Sequence, residues 1–255
     1  MLSGLAAGSS AIACDFPAGP VDAQLARAEG AGIVEAFFSD ATDRYTHGVL
    51  GDAIEAGALR VKTSTSGPCD TFVVLPENRA FEDLTPRIAD VTGDGRNDAI
   101  VIESSDSGGA SLAVYGLADG DDRLQKLAAT PHIGRPNRWL APVGIADFDG
   151  DGVKDVAFVQ TPHLAGILRV WSFRDRKPRE IAALAGFSNH RIGENFITGG
   201  VRQCGDKLQM IVPDLQWSRT LAVTVTGGTL SPQVLAEDAE LQTVQRLLSC
   251  DDSAG

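Results

Sequence analysis

Four aspartates, Asp147, Asp149, Asp151 and Asp155, lie in the run V-G-I-A-D-F-D-G-D-G-V-K-D-V-A-F-V-Q over residues 143–160. They take positions 1, 3, 5 and 9 of a nine-residue loop, with Gly150 and Gly152 set between them. Carboxylates held this close repel one another unless a cation lies among them. Hard oxygen donors on a flexible loop, with the Val153 carbonyl at position 7, have the chemistry of a Ca2+ site. The glycines let the backbone turn through positive φ at little steric cost. A second run, R-I-A-D-V-T-G-D-G-R-N-D-A-I-V-I-E over 87–103, repeats the arrangement 57 residues earlier. Asp90, Asp94 and Asp98 match Asp147, Asp151 and Asp155; Thr92 replaces Asp149, and Arg96 takes position 7. With one carboxylate fewer, the 90–98 loop is expected to bind more weakly. Alternation points the Lys154 and Arg96 side chains outward.

The elements that must hold these loops are strands. An EF-hand shares the first six positions, including Gly152, but needs a bidentate Glu at position 12 and a helix on either side. Position 12 is Phe158, and the flanks Gly144–Ala146 and Val156–Val159 are short apolar runs of strand type. Each loop therefore closes a strand–loop–strand hairpin. The match continues beyond the loops. Leu112-Ala-Val-Tyr-Gly parallels Leu168-Arg-Val-Trp-Ser, and Leu124-Gln-Lys-Leu-Ala parallels Glu180-Ile-Ala-Ala-Leu. Phe81, Trp139 and Phe196 each stand ahead of a unit.

The pattern divides the chain into units at about 33–80, 81–138, 139–195 and 196–236 within one domain over 33–250. The third and fourth segments differ in that the loop of the last is eroded to V-R-Q-C-G-D-K, and 33–80 is the most decayed copy. In 33–80, strands are expected at Ile33–Phe38, His47–Asp52, Ala58–Lys62 and Thr71–Leu75, with a turn at Ser66–Cys69. A sheet of four short strands cannot bury its own face, so several must pack together. The fold class is all-β: a β-propeller-like array of about four four-stranded blades. Residues 14–32 read as an N-terminal arm with one short helix in Asp22–Glu29. Residues 237–255 read as a C-terminal helix and tail, with Leu241, Val244, Leu247 and Leu248 on one helical face.

I-A-D-V-T-G-D-G-R-N-D-A-I-V (88–101) and I-A-D-F-D-G-D-G-V-K-D-V-A-F-V (145–159) resemble FG-GAP/VCBS repeats, the calcium-loop blades of integrin α-chain propellers and many bacterial exported proteins. The resemblance is firm over about 87–200. It implies propeller blades, Ca2+ between the first two strands of a blade, and adhesion or ligand binding. Integrin-like members have seven blades, whereas four units imply a small or incomplete ring.

The net charge of −12 without a Lys/Arg cluster argues against nucleic acid or an anionic membrane surface as partner. No run approaches the ~20 apolar residues of a membrane span. Residues 1–13 end in A-I-A before Cys14, which resembles the end of a secretory signal, with lipidation of Cys14 as the minor alternative. Cys14, Cys69, Cys204 and Cys250 lack metal spacing and suit disulfides in an exported protein, with three pairings open. A disulfide is expected to involve Cys204 or Cys250. A periplasmic or extracellular location follows from these features.

His47, His132, His163 and His190 have no metal-ligand spacing, and the two T-P-H contexts at 132 and 163 read as turn or packing positions. Ser104–Gly109 is not a nucleophile elbow. Trp139, Trp171 and Trp217 suit inter-blade filling better than sugar stacking. The expected function is a calcium-stabilised, non-catalytic exported module that binds a protein or glycan. The alternatives are a propeller-type hydrolase or lyase acting on phosphate esters or polysaccharides, and a subunit that completes a larger assembly.

Overall fold

In the strands around Ala99–Ile102, Val156–Val159 and Met210–Val212, apolar side chains fall on both faces, because each of these strands is packed between two layers. The computed structural model describes residues 17–252 apart from 66, 68, 69, 121 and 122. The expectations for residues 1–13, for Cys14 and for most of the Ser66–Cys69 turn lie outside the described residues. Among the described residues the chain forms three antiparallel sheets and one α-helix.

The first sheet has nine strands: β1 (Ala26–Arg27), β2 (Ile33–Thr42), β3 (Glu55–Thr63), β4 (Thr71–Val74), β5 (Arg79–Phe81), β6 (Arg87–Ala89), β7 (Asp98–Ser105), β8 (Gly109–Leu117) and β9 (Leu124–Ala129). The second has β10 (Leu140–Ala146), β11 (Asp155–Gln160), β12 (Ile167–Ser172) and β13 (Arg179–Ala185) in sequence order. The third has β14 (Gly200–Cys204), β15 (Lys207–Pro213), β16 (Thr220–Thr226) and β17 (Thr229–Ala236), followed by α1 (Leu241–Leu248).

The first two sequence units thus share one sheet. β5 joins them, since Phe81 pairs with Ala56 of β3 on one side and with Glu103 of β7 on the other. Two further expectations, one in the N-terminal arm and one in the first unit, are corrected. Asp22–Glu29 is not helical; Ala26 and Arg27 pair with Ala36 and Glu35 at the edge of β2. Eight residues form a helix only where packing of an apolar face offsets the cost of nucleation, as in α1, whereas here the edge of β2 supplies strand partners. His47–Asp52 is a turn, not a strand, with Gly48 at φ 57° and Gly51 at φ 114°. Its Val49 and Leu50 plug the core between sheets.

Alternation decides which neighbour each side chain meets. On β7, Ala99 and Val101 pack with Ile33, Phe38 and Leu59 of the first unit. Ile100 and Ile102 face the other way, against Leu140, Val156 and Phe158 of the second sheet. On β11, Ala157 and Val159 then pack with Met210 and Val212 of the third sheet. On β15, Ile211 meets Val244 and Leu247 of α1. Each sheet is therefore stacked face to face on the next, and the helix covers the far face of the third. Trp139 fills the space between sheets as expected and is 2% exposed. Phe196 does not follow Phe81 and Trp139, because it lies exposed and Ile197 takes the inward place.

The chain end is tied to this stack. Cys204 at the end of β14 and Cys250 just after α1 form a disulfide. Arg202, buried between them, donates to the Leu247 carbonyl at 2.8 Å and to Asp252 Oδ1 at 2.5 Å. The disulfide closes a loop across 46 positions, so its loss frees the unfolded chain. Cys250→Ser should lower unfolding free energy by about 2–4 kcal/mol, read from urea melts with the slope fitted for each chain, since the freed unfolded chain exposes more surface.

Glu55 on β3 is buried, and its carboxyl is pushed up to about 9 by burial first, then by Glu82 and Asp52. Its folded value lies above its unfolded one, so the folded chain holds a proton that the unfolded chain releases. The associated stability is full below the ordinary carboxylate range and is lost as pH rises towards 9. Unfolding free energy should fall between pH 5 and 9, by at most about 1.4 kcal/mol per pH unit from this group. Glu55→Gln should flatten that slope in urea titrations at several pH values; an unchanged slope would exclude the group.

Candidate metal centre

Both acidic loops close antiparallel hairpins, as their spacing predicts. Ala89 pairs with Asp98, and Ala146 pairs with Asp155, so residues between them form the loops. Gly93, Gly95, Gly150 and Gly152 all have φ between 77° and 87°. The loops are neighbours: a Cβ on Gly93 would stand 3.0 Å from Val153 Cγ2.

In the 147–155 loop, Asp147 folds the backbone around itself. Its Oδ1 accepts from the Gly150 amide at 2.8 Å, and its Oδ2 accepts from Gly152 at 2.9 Å. Asp149 Oδ1 accepts from the Asp151 amide at 3.2 Å, and Asp151 Oδ1 from the Val153 amide at 2.9 Å. One carboxylate oxygen from each of Asp147, Asp149 and Asp151 lies within 4.8 Å of the others, so the group can hold a metal ion. Behind it Asp155 is fully buried; Oδ2 accepts from the Phe148 amide at 3.0 Å, while Oδ1 has no partner among the described residues. Burial, then the charges of Asp149 and Asp151, push its carboxyl up to about 7. An orphaned buried carboxylate oxygen beside three clustered carboxylates fits a cation, because no donor among the described residues compensates its desolvation.

The 90–98 loop repeats the frame with different chemistry. Asp90 accepts from the Gly93 and Gly95 amides at 2.7 and 2.8 Å. Asp98 Oδ2 accepts from the Val91 and Thr92 amides, each at 3.2 Å, and from the Thr92 hydroxyl at 3.1 Å. Thr92 is thus committed inward to Asp98 and is 2% exposed. Burial pushes Asp98 up to about 7 despite these donors.

Arginines surround both loops. Arg174 Nη1 donates to Asp151 Oδ2 at 2.7 Å, and Arg179 stands 3.4 Å from Asp149. The expectation that Arg96 points away is corrected: Arg96 Nη2 donates to Asp94 Oδ2 at 2.9 Å and reaches Asp119 at 3.3 Å. Arg176, at 3.5 Å, adds a second guanidinium to Asp94. Burial raises the Asp94 carboxyl, but the hydrogen bonds and charge of Arg96 outweigh it and hold it low. Alternation fails here because Asp94 and Arg96 lie on a loop, where one Arg side chain can fold back to the nearest carboxylate. Lys154 is exposed, as expected.

Spacing in the sequence did not reveal a second cluster. His47, from the turn between β2 and β3, contacts Glu82 through Nδ1. His163 Nε2 lies 2.8 Å from His190 Nδ1, and the His190 ring meets Trp139 edge-on at 5.2 Å. His132 is elsewhere, with Nδ1 on the Gly109 carbonyl at 2.8 Å, in a cleft of about 210 Å³ with Arg169 and Trp171. The two T-P-H contexts therefore have different roles, since one follows β9 and the other follows β11.

An FG-GAP-like repeat model matches residues 90–158. No curated protein matches the chain. Among solved structures, the crystal structure of the Saccharomyces cerevisiae Sqt1 is similar at 10% identity and a TM-score of 0.41, over 87% of this chain and 50% of that one. The chain spans half the length of that structure. Both acidic loops, the strand β7 and the first four residues of β11 fall within the matched segment, and residues 90–158 are an FG-GAP-like repeat.

Proposed function

We propose that the chain is a calcium-stabilised, exported binding module, its face-to-face sheets acting as the blades of a small propeller-like array and its ligand a protein or glycan. The observation that carries the calcium part is the buried Asp155 Oδ1 without a partner, behind the cluster of Asp147, Asp149 and Asp151. Ca2+ would be held by Asp147, Asp149, Asp151 and Asp155 with the Val153 carbonyl, and in the second loop by Asp90, Asp94, Asp98 and the Arg96 carbonyl. When bound, the ion supplies charge compensation and pins the hairpin. The chain's own residues do the rest: the Gly150 and Gly152 amides orient Asp147, the Asp151 amide orients Asp149, the Val153 amide orients Asp151, and strands β10 and β11 fix the loop ends.

The FG-GAP-like match supports a binding role, and the Cys204–Cys250 disulfide supports an oxidising compartment. No described helix is long and apolar enough to cross a membrane. A hydrolase or lyase would gain support from His132, His190 and arginines converging on one pocket. His132 and His190 instead lie in separate clusters. Presenting the immobilised chain with glycan and extracellular protein panels, with Ca2+ and with EDTA, tests the reading. Calcium-dependent, saturable binding without turnover is expected. Multiple turnover of a phosphate ester or polysaccharide would overturn it.

A further inference from the structure

Three turns that follow different strands meet around His163 and His190. The first, after β11, is closed by the Thr161 carbonyl, which accepts from the Leu164 and Gly166 amides at 2.9 and 3.1 Å. The second, ahead of β14, is closed by the Glu194 amide, which donates to the Arg191 carbonyl at 3.1 Å. The third, after β15, is wound around the buried Asp214. Its carboxylate accepts from the Ser218 amide at 2.7 Å, the Ser218 hydroxyl at 2.8 Å and the Arg219 amide at 3.2 Å. His163 Nε2 and His190 Nδ1, 2.8 Å apart, join the first turn to the second. The Arg191 guanidinium, 4.1 Å from the centre of the Trp217 ring, joins the second to the third. Arg138 lines a small pocket together with His163 and Leu164, which brings in the loop before β10.

This patch combines three features that the fold itself does not need. Its apolar side chains face water, with Ile192 84% exposed and Leu164 57%. One exposed apolar residue alone needs no explanation, but these two stand on adjoining, pinned turns. Its arginines are unmatched. Elsewhere guanidiniums meet carboxylates, as Arg60 meets Asp70, Arg87 meets Asp83 and Arg202 meets Asp252. Arg138 instead donates to the Asn137 carbonyl and Arg191 stacks on Trp217, and neither has a carboxylate partner among the described residues. The backbone is strained as well, since Thr161 at φ 49° and Trp217 at φ 58° both hold left-handed conformation. For a β-branched or bulky residue this is an outlier that persists only where the surroundings fix it, and such outliers gather at functional sites. Trp and Arg are also the side chains that most often dominate binding energy.

We propose that the patch centred on Arg138, Leu164, Arg191, Ile192 and Trp217 docks a short extended segment of a partner protein, one that carries an acidic residue beside an aliphatic or aromatic side chain. The carboxylate answers the unmatched guanidiniums, and the apolar side chain covers Leu164 and Ile192. A glycan fits less well, because Leu164 and Ile192 offer its hydroxyls no hydrogen bond to replace the water they lose. A long polyanion or an anionic bilayer meets the whole molecule, whose net charge is −12. A short segment meets only this patch, since charges beyond about 8 Å are largely screened at physiological salt. This docking role presupposes the binding module proposed above and narrows its ligand to a protein.

Panning a phage-displayed random peptide library on the immobilised full chain in excess Ca2+ supplies the probes, which are then synthesised and titrated by calorimetry. Enriched peptides should pair Asp or Glu with Leu, Ile or Phe, and their binding should weaken as salt is raised. Arg191→Glu and Ile192→Ser, both at exposed positions, should each weaken binding by about tenfold or more. Val74→Ser, at an exposed position on β4 in the first sheet, should not. Should a variant fail to fold, the wild-type methyl spectrum decides: the Leu164 and Ile192 signals should shift on adding peptide while those of Val74 stay put. No enriched peptide, peptides without an acidic bias, or binding that both variants retain would overturn the site. So would heparin or phosphatidylserine vesicles held through the same residues in place of peptide. Calcium-dependent glycan binding that both variants retain, with no peptide bound, would overturn it while leaving the binding module standing.

Discussion

Trp139→Ala should destabilise the fold by about 3–5 kcal/mol, as expected for deleting a buried aromatic whose cavity cannot collapse. Trp139 is 2% exposed and packs in the core shared by the first two sheets, beside Leu140, Phe158 and Phe173. Its indole N–H also donates to the Glu82 carbonyl at 2.9 Å, which ties the start of the second sheet to the loop after β5. Trp139→Phe keeps much of the volume and loses that bond, so about 0.5–1.5 kcal/mol of its cost should be the hydrogen bond itself. For a domain with ~5–15 kcal/mol of total stability, the alanine variant should lose a large share. Urea denaturation of the three chains checks this. A loss under about 1 kcal/mol for Trp139→Ala would mean that the two sheets do not depend on this contact.

Asp151→Ala should cost more calcium-dependent stability than Asp94→Ala. The loop at 147–155 offers four carboxylates, including the buried Asp155 with its unpartnered oxygen. The loop at 90–98 offers three, and its Thr92 hydroxyl is spent on Asp98. The arginines sharpen the contrast. Asp94 sits between Arg96 and Arg176, whereas Asp151 has Arg174. A cation must compete with each of these exposed pairs, which are individually worth only about 0–1 kcal/mol. One carboxylate at ~4 Å is worth about 1 kcal/mol in water and up to ~4 kcal/mol at an effective dielectric of 20. Removing Asp151 should therefore weaken the stronger site by about one to several powers of ten. Calcium titration calorimetry of both variants decides the matter. Equal losses, or the reverse order, would mean that carboxylate count does not rank these loops.

Both acidic hairpins were legible in the sequence because their information is local: glycines at the turns, strand alternation on each side and aspartates at fixed spacing. The C-terminal helix was legible for the same reason, and Val244 and Leu247 do face the third sheet. Three features were not, and each depends on contacts distant in sequence. The merger of the first two units rests on the three-residue strand Arg79–Phe81, which pairs with β7 along its length and with β3 through Phe81. The segment at 47–52 has strand-like apolar content, yet Val49 and Leu50 are buried from a turn that Gly48 and Gly51 permit. The histidine cluster joins positions 47, 163 and 190, so no spacing rule could find it. A usable signal was the Gly-rich flank of His47, which marks a tight turn rather than an edge strand.

The measurement that bears most directly on the calcium-stabilised reading is a pair of thermal melts, one in EDTA and one in millimolar Ca2+, with bound metal measured by mass spectrometry. If the ion binds only the folded chain, stability rises by about 2.7 kcal/mol at a hundredfold excess over Kd. The melting temperature should then rise by several degrees in Ca2+, and the metal should co-purify with the folded chain. Identical melts with no bound metal would contradict the account.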